Sequence, residues 1–204
     1  MPPLLAPPAL AGDLVVLEPL HTAHVDGLVD AASEDRTTYR YMGVPMPEAV
    51  ADYVGTWIDA QDRGETIAFA QVARATGRAV GVTRYLTFRT RPGQSGPYGV
   101  EIGGTWLAPS VQRTGVNVEA KLLLLAHAFE EWRVERVDLK TDSRNERSRN
   151  AIAALGATFE GVLRRWQPSQ VDGEDALLRD SAIYSILEPE WPDVRQRLLA
   201  RLDR

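Results

Sequence analysis

The chain has no cysteine in its 204 residues. Disulfides, thiolate metal ligands and a cysteine nucleophile are thereby excluded. Histidine is scarce too, at His21, His24 and His127 only. His21 and His24 stand three apart without a third ligand near them, so they read as surface residues of a first helix, and no metal site is expected. Lysine is scarcer still. Lys121 and Lys140 are the only two lysines among the basic residues, and the rest are arginine. That bias is consistent with codon usage in the source genome. No run approaches the roughly 20 apolar residues needed to span a bilayer. The start, Met1 to Pro8, is proline-rich and uncharged, without the basic head and unbroken apolar core of a signal peptide. A cytoplasmic location and no membrane partner are expected. The net charge is −5 and the pI about 5.3, so a bulk basic footprint for nucleic acid is absent. Arginines do cluster between Arg144 and Arg165, which leaves room for a local basic patch.

The composition is 44% apolar and 25% charged, ordinary for a folded domain, and the length suits one domain, residues 1–204, with a full core. Residues 1–12 read as a flexible leading segment. Leu14 to Leu17 is a short strand closed by Pro19. His21 to Ala32 has helical spacing in Val25, Leu28, Val29 and Ala32. The stretch from Ser33 to Met46 has no period. Pro47 to Arg63 is helical, with proline at its first turn and Gly64 at its end. Ile67 to Arg74 and Ala79 to Phe88 are strands joined through Thr76-Gly77. Tyr98 to Leu107 is a third strand, Val118 to Trp132 a strongly apolar helix, Arg136 to Thr141 a strand, and Asn145 to Leu155 a short helix stopped at Gly156. Phe159 to Gln167 and Leu177 to Leu187 form a second hairpin, and Pro189 to Leu202 a last helix. This order gives an α/β (α+β) fold. Its sheet is mixed and mostly antiparallel, with one parallel crossover at the apolar helix and helices on both faces.

Gln112-Arg113-Thr114-Gly115-Val116-Asn117 lies where the third strand hands over to that apolar helix. Free N–H groups at a helix start attract anions, the helix dipole adds to the attraction, and a glycine lets a phosphate come close. A plain strand-to-helix connection would use the same glycine, so the turn is read together with its surroundings.

Those surroundings resemble a known family. The span from Glu101 to Arg165 is similar to the GNAT superfamily of acyl-CoA-dependent N-acyltransferases, above all its RimJ/RimL-like branch. The carriers are the Gln112–Asn117 loop, Asn145-Glu146-Arg147-Ser148, Leu155-Gly156-Ala157, Phe159 to Arg164, and the closing run Arg179 to Leu187. Asn117 departs from the small residue usual at the end of the loop, although asparagine still favours a helix start. The resemblance implies a sheet splayed at its centre and acetyl-CoA as co-substrate. The pyrophosphate would rest on backbone N–H groups from Arg113 to Asn117, with Gln112 and Thr114 in the same loop. The pantetheine arm would bond backbone near Trp106 and Leu107, and an N–H near Leu107 would face the thioester carbonyl.

Glu101 is a carboxylate in an apolar, glycine-rich strand. Under strict alternation Glu101, Gly103 and Thr105 share one face, unless a bulge intervenes. It is the candidate general base, acting through water on the attacking amine, or else a structural partner. Asn145 suits a helix N-cap with Ser148 at the third position. The resemblance also makes Asn145 a cofactor contact and Ser148 a proton donor to the leaving thiolate. Arg147 and Arg149 are candidate phosphate contacts or solvated helix arginines. Arg36, Tyr39 and Tyr41 are candidates for the acceptor groove, with Trp166 a further one. The expected partners are an acyl-CoA and an amine, either a protein N-terminus or a small molecule. A homodimer through the second hairpin is implied by analogy. Three alternatives stay open: a transferase of longer acyl chains such as succinyl, a GNAT-like module that binds acyl-CoA or a partner without chemistry, and a nucleotide-binding domain, although Gly-x-x-x-x-Gly-Lys-Ser/Thr is missing.

Overall fold

The computed structural model describes residues 9–203. One eight-stranded sheet runs through it. In chain order the strands are β1 (Leu10–Ala11), β2 (Val15–Pro19), β3 (Ile67–Ala73), β4 (Arg78–Thr90), β5 (Pro97–Leu107), β6 (Arg136–Asp142), β7 (Thr158–Pro168) and β8 (Leu178–Leu187). Their spatial order is β1-β2-β3-β4-β5-β6-β8-β7. Every neighbouring pair is antiparallel except β5 and β6. The helices are α1 (Val25–Ser33), α2 (Val50–Asp62), α3 (Val116–Ala126), α4 (Glu146–Leu155) and α5 (Trp191–Leu202). No helix among the described residues is long and apolar enough to cross a membrane.

Alternation along the strands sorts the core into two layers. In β3, Ile67 and Phe69 join α3 and α5 on one face, while Ala68 and Ala70 join α1 and α2 on the other. The apolar circumference of α3 follows from its position, because sheet and α5 cover opposite sides of it. Fully buried Phe69, Tyr85, Leu124 and Leu125 fill that layer, each contributing roughly 1.5–3 kcal/mol by burial.

Two features differ from the expectation, and a third settles a point it left open. Leu10 and Ala11 pair with Leu17 and Val16, so the leading segment is partly strand; residues 1–8 lie outside the described residues. The buried carboxylate of Glu119 explains the order there. It accepts hydrogen bonds from the backbone N–H groups of Asp13, Leu14 and Val15 at 2.7–2.8 Å. The apolar helix is α-helical only to Ala126 and continues as a π turn over His127–Glu131. Finally, β5 is bulged. Val82 faces Trp106 while Arg84 faces Gly103, and Gly104 takes φ +56°. The extra residue reverses the alternation. Trp106 therefore packs with α1 and α2, and Thr105 turns to α3.

The one parallel pair is short. β5 and β6 are joined only at Gly99–Arg136, Val100–Val137 and Glu101–Asp138. Beyond Asp138, β6 pairs with β8 alone, through Asp142–Ser181. The two central strands thus part after Glu101, which is the expected splay. Backbone groups of β5 past that point face a gap rather than a neighbouring strand and need other partners.

Candidate active site

The gap opens into a cavity of about 310 Å³. Its walls come from β4, β5, β6, β8, α3, α4, the loop after α1, the glycine turn and the loop between β7 and β8. The glycine turn stands at the start of α3. Gly115 takes φ +90° as the N-cap, and no side chain caps the helix. The left-handed backbone is what favours glycine there, because an added Cβ at Gly115 would meet only the movable tip of the Leu14 side chain, at 2.8 Å. Arg113 also sits at positive φ, +65°. Gln112, Arg113 and Asn117 line the cavity, and Thr114, Gly115 and Val116 complete the turn beside it. The Asn117 side-chain oxygen is buried without a partner. An uncapped helix start and an orphaned acceptor together fit a phosphorylated ligand with an amide-bearing arm.

Trp106 and Leu107 border the same cavity. Their carbonyls are already engaged. Trp106 accepts from Gln71 Nε2, and Leu107 accepts from Tyr39 Oη at 3.1 Å and Gln112 Nε2 at 2.9 Å. Further hydrogen bonds from the gap to Leu107 therefore call on its N–H rather than its carbonyl.

Glu101 is buried, with 7% of its surface exposed. Its Oε2 lies 3.1 Å from Lys140 Nζ and accepts from Thr87 Oγ1 at 3.3 Å. Ser148 lines the cavity from the first turn of α4. Asn145 does not line it. Its Oδ1 accepts the Ser148 N–H at 3.0 Å, so it caps α4 and fixes where Ser148 stands. Arg147 crosses towards the glycine turn, donating to Gln112 Oε1 and to the Thr38 carbonyl. Burial, then the nearby Arg113 charge, lowers its pKa. Arg149 instead bonds Tyr184 and Ser143, outside the cavity.

Of the acceptor-groove candidates, Tyr41 lines the cavity. Tyr39 is buried against Trp106, and its hydroxyl bridges the Ala31 and Leu107 carbonyls. Burial raises its pKa to about 12. It positions the end of β5. Arg36 spends its guanidinium on the carbonyls of Ala32, Val44 and Pro45, fastening the loop that carries Tyr41. Trp166 is exposed on β7, away from the cavity.

Four basic residues in the cavity wall escaped the sequence reading: Arg84, Lys121, Lys140 and Arg179. Lys121 is buried in α3 and donates to Thr105 Oγ1 at 2.7 Å and Thr83 Oγ1 at 3.3 Å. With no carboxylate at hand, burial lowers its pKa to about 7. A signal for it did exist. Both lysines of an otherwise all-arginine complement line this one cavity, and of the two side chains only lysine can give up its proton near neutrality. Among the described residues no cluster of three His, Asp or Glu side chains is arranged to hold a metal.

A mixed sheet opens beside an uncapped helix start, with basic side chains in the cavity wall and the Glu101 carboxylate behind it, paired to the lining Lys140, an arrangement suited to a ligand that carries phosphate. The acetyltransferase (GNAT) domain family matches residues 15–158, and the chain belongs to that family. Solved structures agree. A candidate acetyltransferase from T. thermophilus is 34% identical, with 96% of this chain and 97% of that one covered at a TM-score of 0.78. A GCN5-related N-acetyltransferase from Brucella melitensis is 27% identical over 98% and 87% of the two chains, with a TM-score of 0.81. Mycobacterium smegmatis RimJ in complex with CoA-disulfide shares the fold at 21% identity, 95% and 91% coverage and a TM-score of 0.74. No curated protein sequence matches the chain.

Proposed function

We propose that the protein transfers an acetyl group from acetyl-CoA to a primary amine, by direct attack within a ternary complex. The observation that carries this reading is the parting of β5 and β6 after Glu101 beside the uncapped start of α3. Backbone N–H groups from Arg113 to Asn117 would take the pyrophosphate, with Arg113 and Arg147 supplying positive charge. Asn117 Oδ1 and the Leu107 N–H would receive the amide-bearing arm. The coenzyme supplies an activated acyl thioester when bound.

Glu101 takes the proton that the amine must lose, directly or through water, as the nitrogen bonds to the thioester carbon. The carbon–sulfur bond breaks, and Ser148 donates a hydrogen bond or proton to the departing thiolate. An α-amine has a reference pKa of about 7.7–8.0, so its deprotonation is easy, and much of the acceleration comes from positioning. Tyr41 borders the acceptor. Protein N-termini and small amines are both suitable acceptors, and a homodimer through β7 and β8 belongs to the same reading.

Lys121 favours a second assignment of the base. It borders the cavity, and at a pKa of about 7 a large share of it is the free amine at neutral pH. Glu101→Gln and Lys121→Met separate the two, since only loss of the base removes the acidic limb of the pH–rate profile.

Calorimetric titration with acetyl-CoA, coenzyme A, succinyl-CoA and ATP tests the whole. Saturable acyl-CoA binding that vanishes in Gly115→Val supports the cradle. Binding of ATP alone would replace the transferase with a nucleotide site.

A further inference from the structure

Register parity puts Glu101, Arg84, Lys140 and Arg179 on one face of the sheet, with Asp138 and Asp142 beside them. Glu101 and Gly103 share a face of β5, and Arg84 stands opposite Gly103. Glu101 faces Asp138 across the parallel pair, which places Lys140 two residues on in the same layer. Lys140 faces Ile183, and Asp142 faces Ser181, so Arg179, two residues further, belongs to it as well. This is the layer of α1 and α2, because Arg84 lies over the Trp57 ring of α2, 3.3 Å from its centroid. The glycine turn and Lys121 belong to the opposite layer, with α3.

The charges in this layer do not balance. Glu101 is claimed by Lys140 at 3.1 Å. Asp142 is claimed by Arg144, which also binds Glu174. Among the described residues neither Arg84 nor Arg179 has a carboxylate within ion-pair distance, although Glu101 and Asp142 exert a longer-range pull. Yet both are deeply buried, at 7% and 8% exposure. Arg84 leaves Nε and Nη1 buried without partners, and Arg179 leaves Nε so; Arg179 Nη1 reaches Gln170 Oε1 only at 3.4 Å. Stacking on Trp57 satisfies the face of the Arg84 guanidinium and leaves its in-plane donors free. Buried cationic donors without acceptors are costly, and such groups persist where a ligand completes them.

We propose that Arg84 and Arg179 form a carboxylate subsite, so that one reacting partner carries a carboxylate several atoms from the reacting centre. The planar guanidinium fork matches a carboxylate in a way an ammonium does not. The carboxylate belongs either to the acceptor amine or to the end of a dicarboxylic acyl chain. The choice between these sources rests on the transferase reading; the subsite itself does not.

Two arms test it. The first needs no coenzyme: the wild-type protein is titrated with succinate and with succinamide, following tryptophan fluorescence through Trp57. Succinate should bind about tenfold tighter or better, and the preference should fall to within about twofold in Arg84→Gln and Arg179→Gln. Arg84→Lys, which keeps the charge and loses the fork, should retain only part of it and guards against a misfolded glutamine variant. The second arm compares succinyl-CoA with acetyl-CoA, and 6-aminohexanoate with its amide, on the acetyl-CoA-competent protein. A preference within the first pair assigns the carboxylate to the acyl chain, and within the second pair to the acceptor. Equal binding of succinate and succinamide by the wild type, or a preference unchanged in all three variants, overturns the subsite. Failure to bind any acyl-CoA while succinate selectivity persists overturns only the transferase reading.

Discussion

On the α3 side of the parted strands the chain offers mainly backbone, with Lys121 and Arg113 as charged side chains beside it, and on the α1–α2 side it offers a set of charged side chains. The first side is built from an uncapped helix start, a glycine at φ +90° and the end of a bulged strand. The second is built from Glu101, Lys140, Arg84 and Arg179, set by register across four strands. Backbone recognition depends on chain geometry and suits an invariant ligand. Side-chain recognition changes with single substitutions and suits the partner that differs from one relative to the next. Under the proposed function, the backbone side would hold the coenzyme and the side-chain side the acceptor.

The largest expected effect sharpens the second side. Glu101→Gln should lower kcat by about 10²–10⁴ while acetyl-CoA affinity stays within about twofold, as single-turnover rates and calorimetry would reveal. Equal loss of both would erase the distinction between the two sides. Next comes the first side. Gly115→Val should weaken coenzyme A binding by roughly 10²-fold, as about two charge-assisted hydrogen bonds are lost. The left-handed backbone should also cost about 1–2 kcal/mol of stability. A folded Gly115→Val protein with unchanged affinity would remove the cradle.

Lys121 gives an effect on stability with a definite sign. Its native pKa, lowered to about 7, lies below its unfolded value near 10.5. The unfolded chain therefore binds more protons between those values, and stability should rise with pH from about 7 to 10.5 through this residue. Lys121→Met should flatten that rise and raise Tm at pH 7, which melting curves across the range would register. The smallest effects come from positioning groups. Asn145→Ala should cost about 1 kcal/mol through the lost cap, with coenzyme affinity unchanged. A large loss of affinity would make Asn145 a direct contact after all. Tyr39→Phe should cost about 1 kcal/mol in chemical denaturation.

Much of this was legible in the sequence because it is local. Helical spacing located α1, α2, α4 and α5, and alternation located β3 to β8 within a residue or two. The glycine turn, Glu101 and Ser148 could be singled out because each sits in a short recognisable segment, and of these the structure puts Ser148, Gln112, Arg113 and Asn117 in the cavity wall. The bulge at Gly104 was foreseen only as a possibility, since a glycine in a strand does not announce its φ. Tyr39 and Arg36 were misplaced because aromatic and basic residues in an aperiodic loop look alike whether they face a groove or fasten it. Arg84 and Arg179 were invisible for a different reason. They lie far apart in the chain, on β4 and β8, and only the strand order brings them to one face. Both lysines line the cavity, a placement that composition alone does not reveal.

Glu119 has one more consequence. It stands in the first turn of α3, four residues after Gly115, and its buried carboxylate holds three successive amides at the beginning of β2. The outer edge of the sheet and the start of α3 are thus one mechanical unit. In hydrogen–deuterium exchange, the amides of Asp13, Leu14 and Val15 should open in step with the first turn of α3, so a stretch that would otherwise fray becomes a gauge of the helix start beside it.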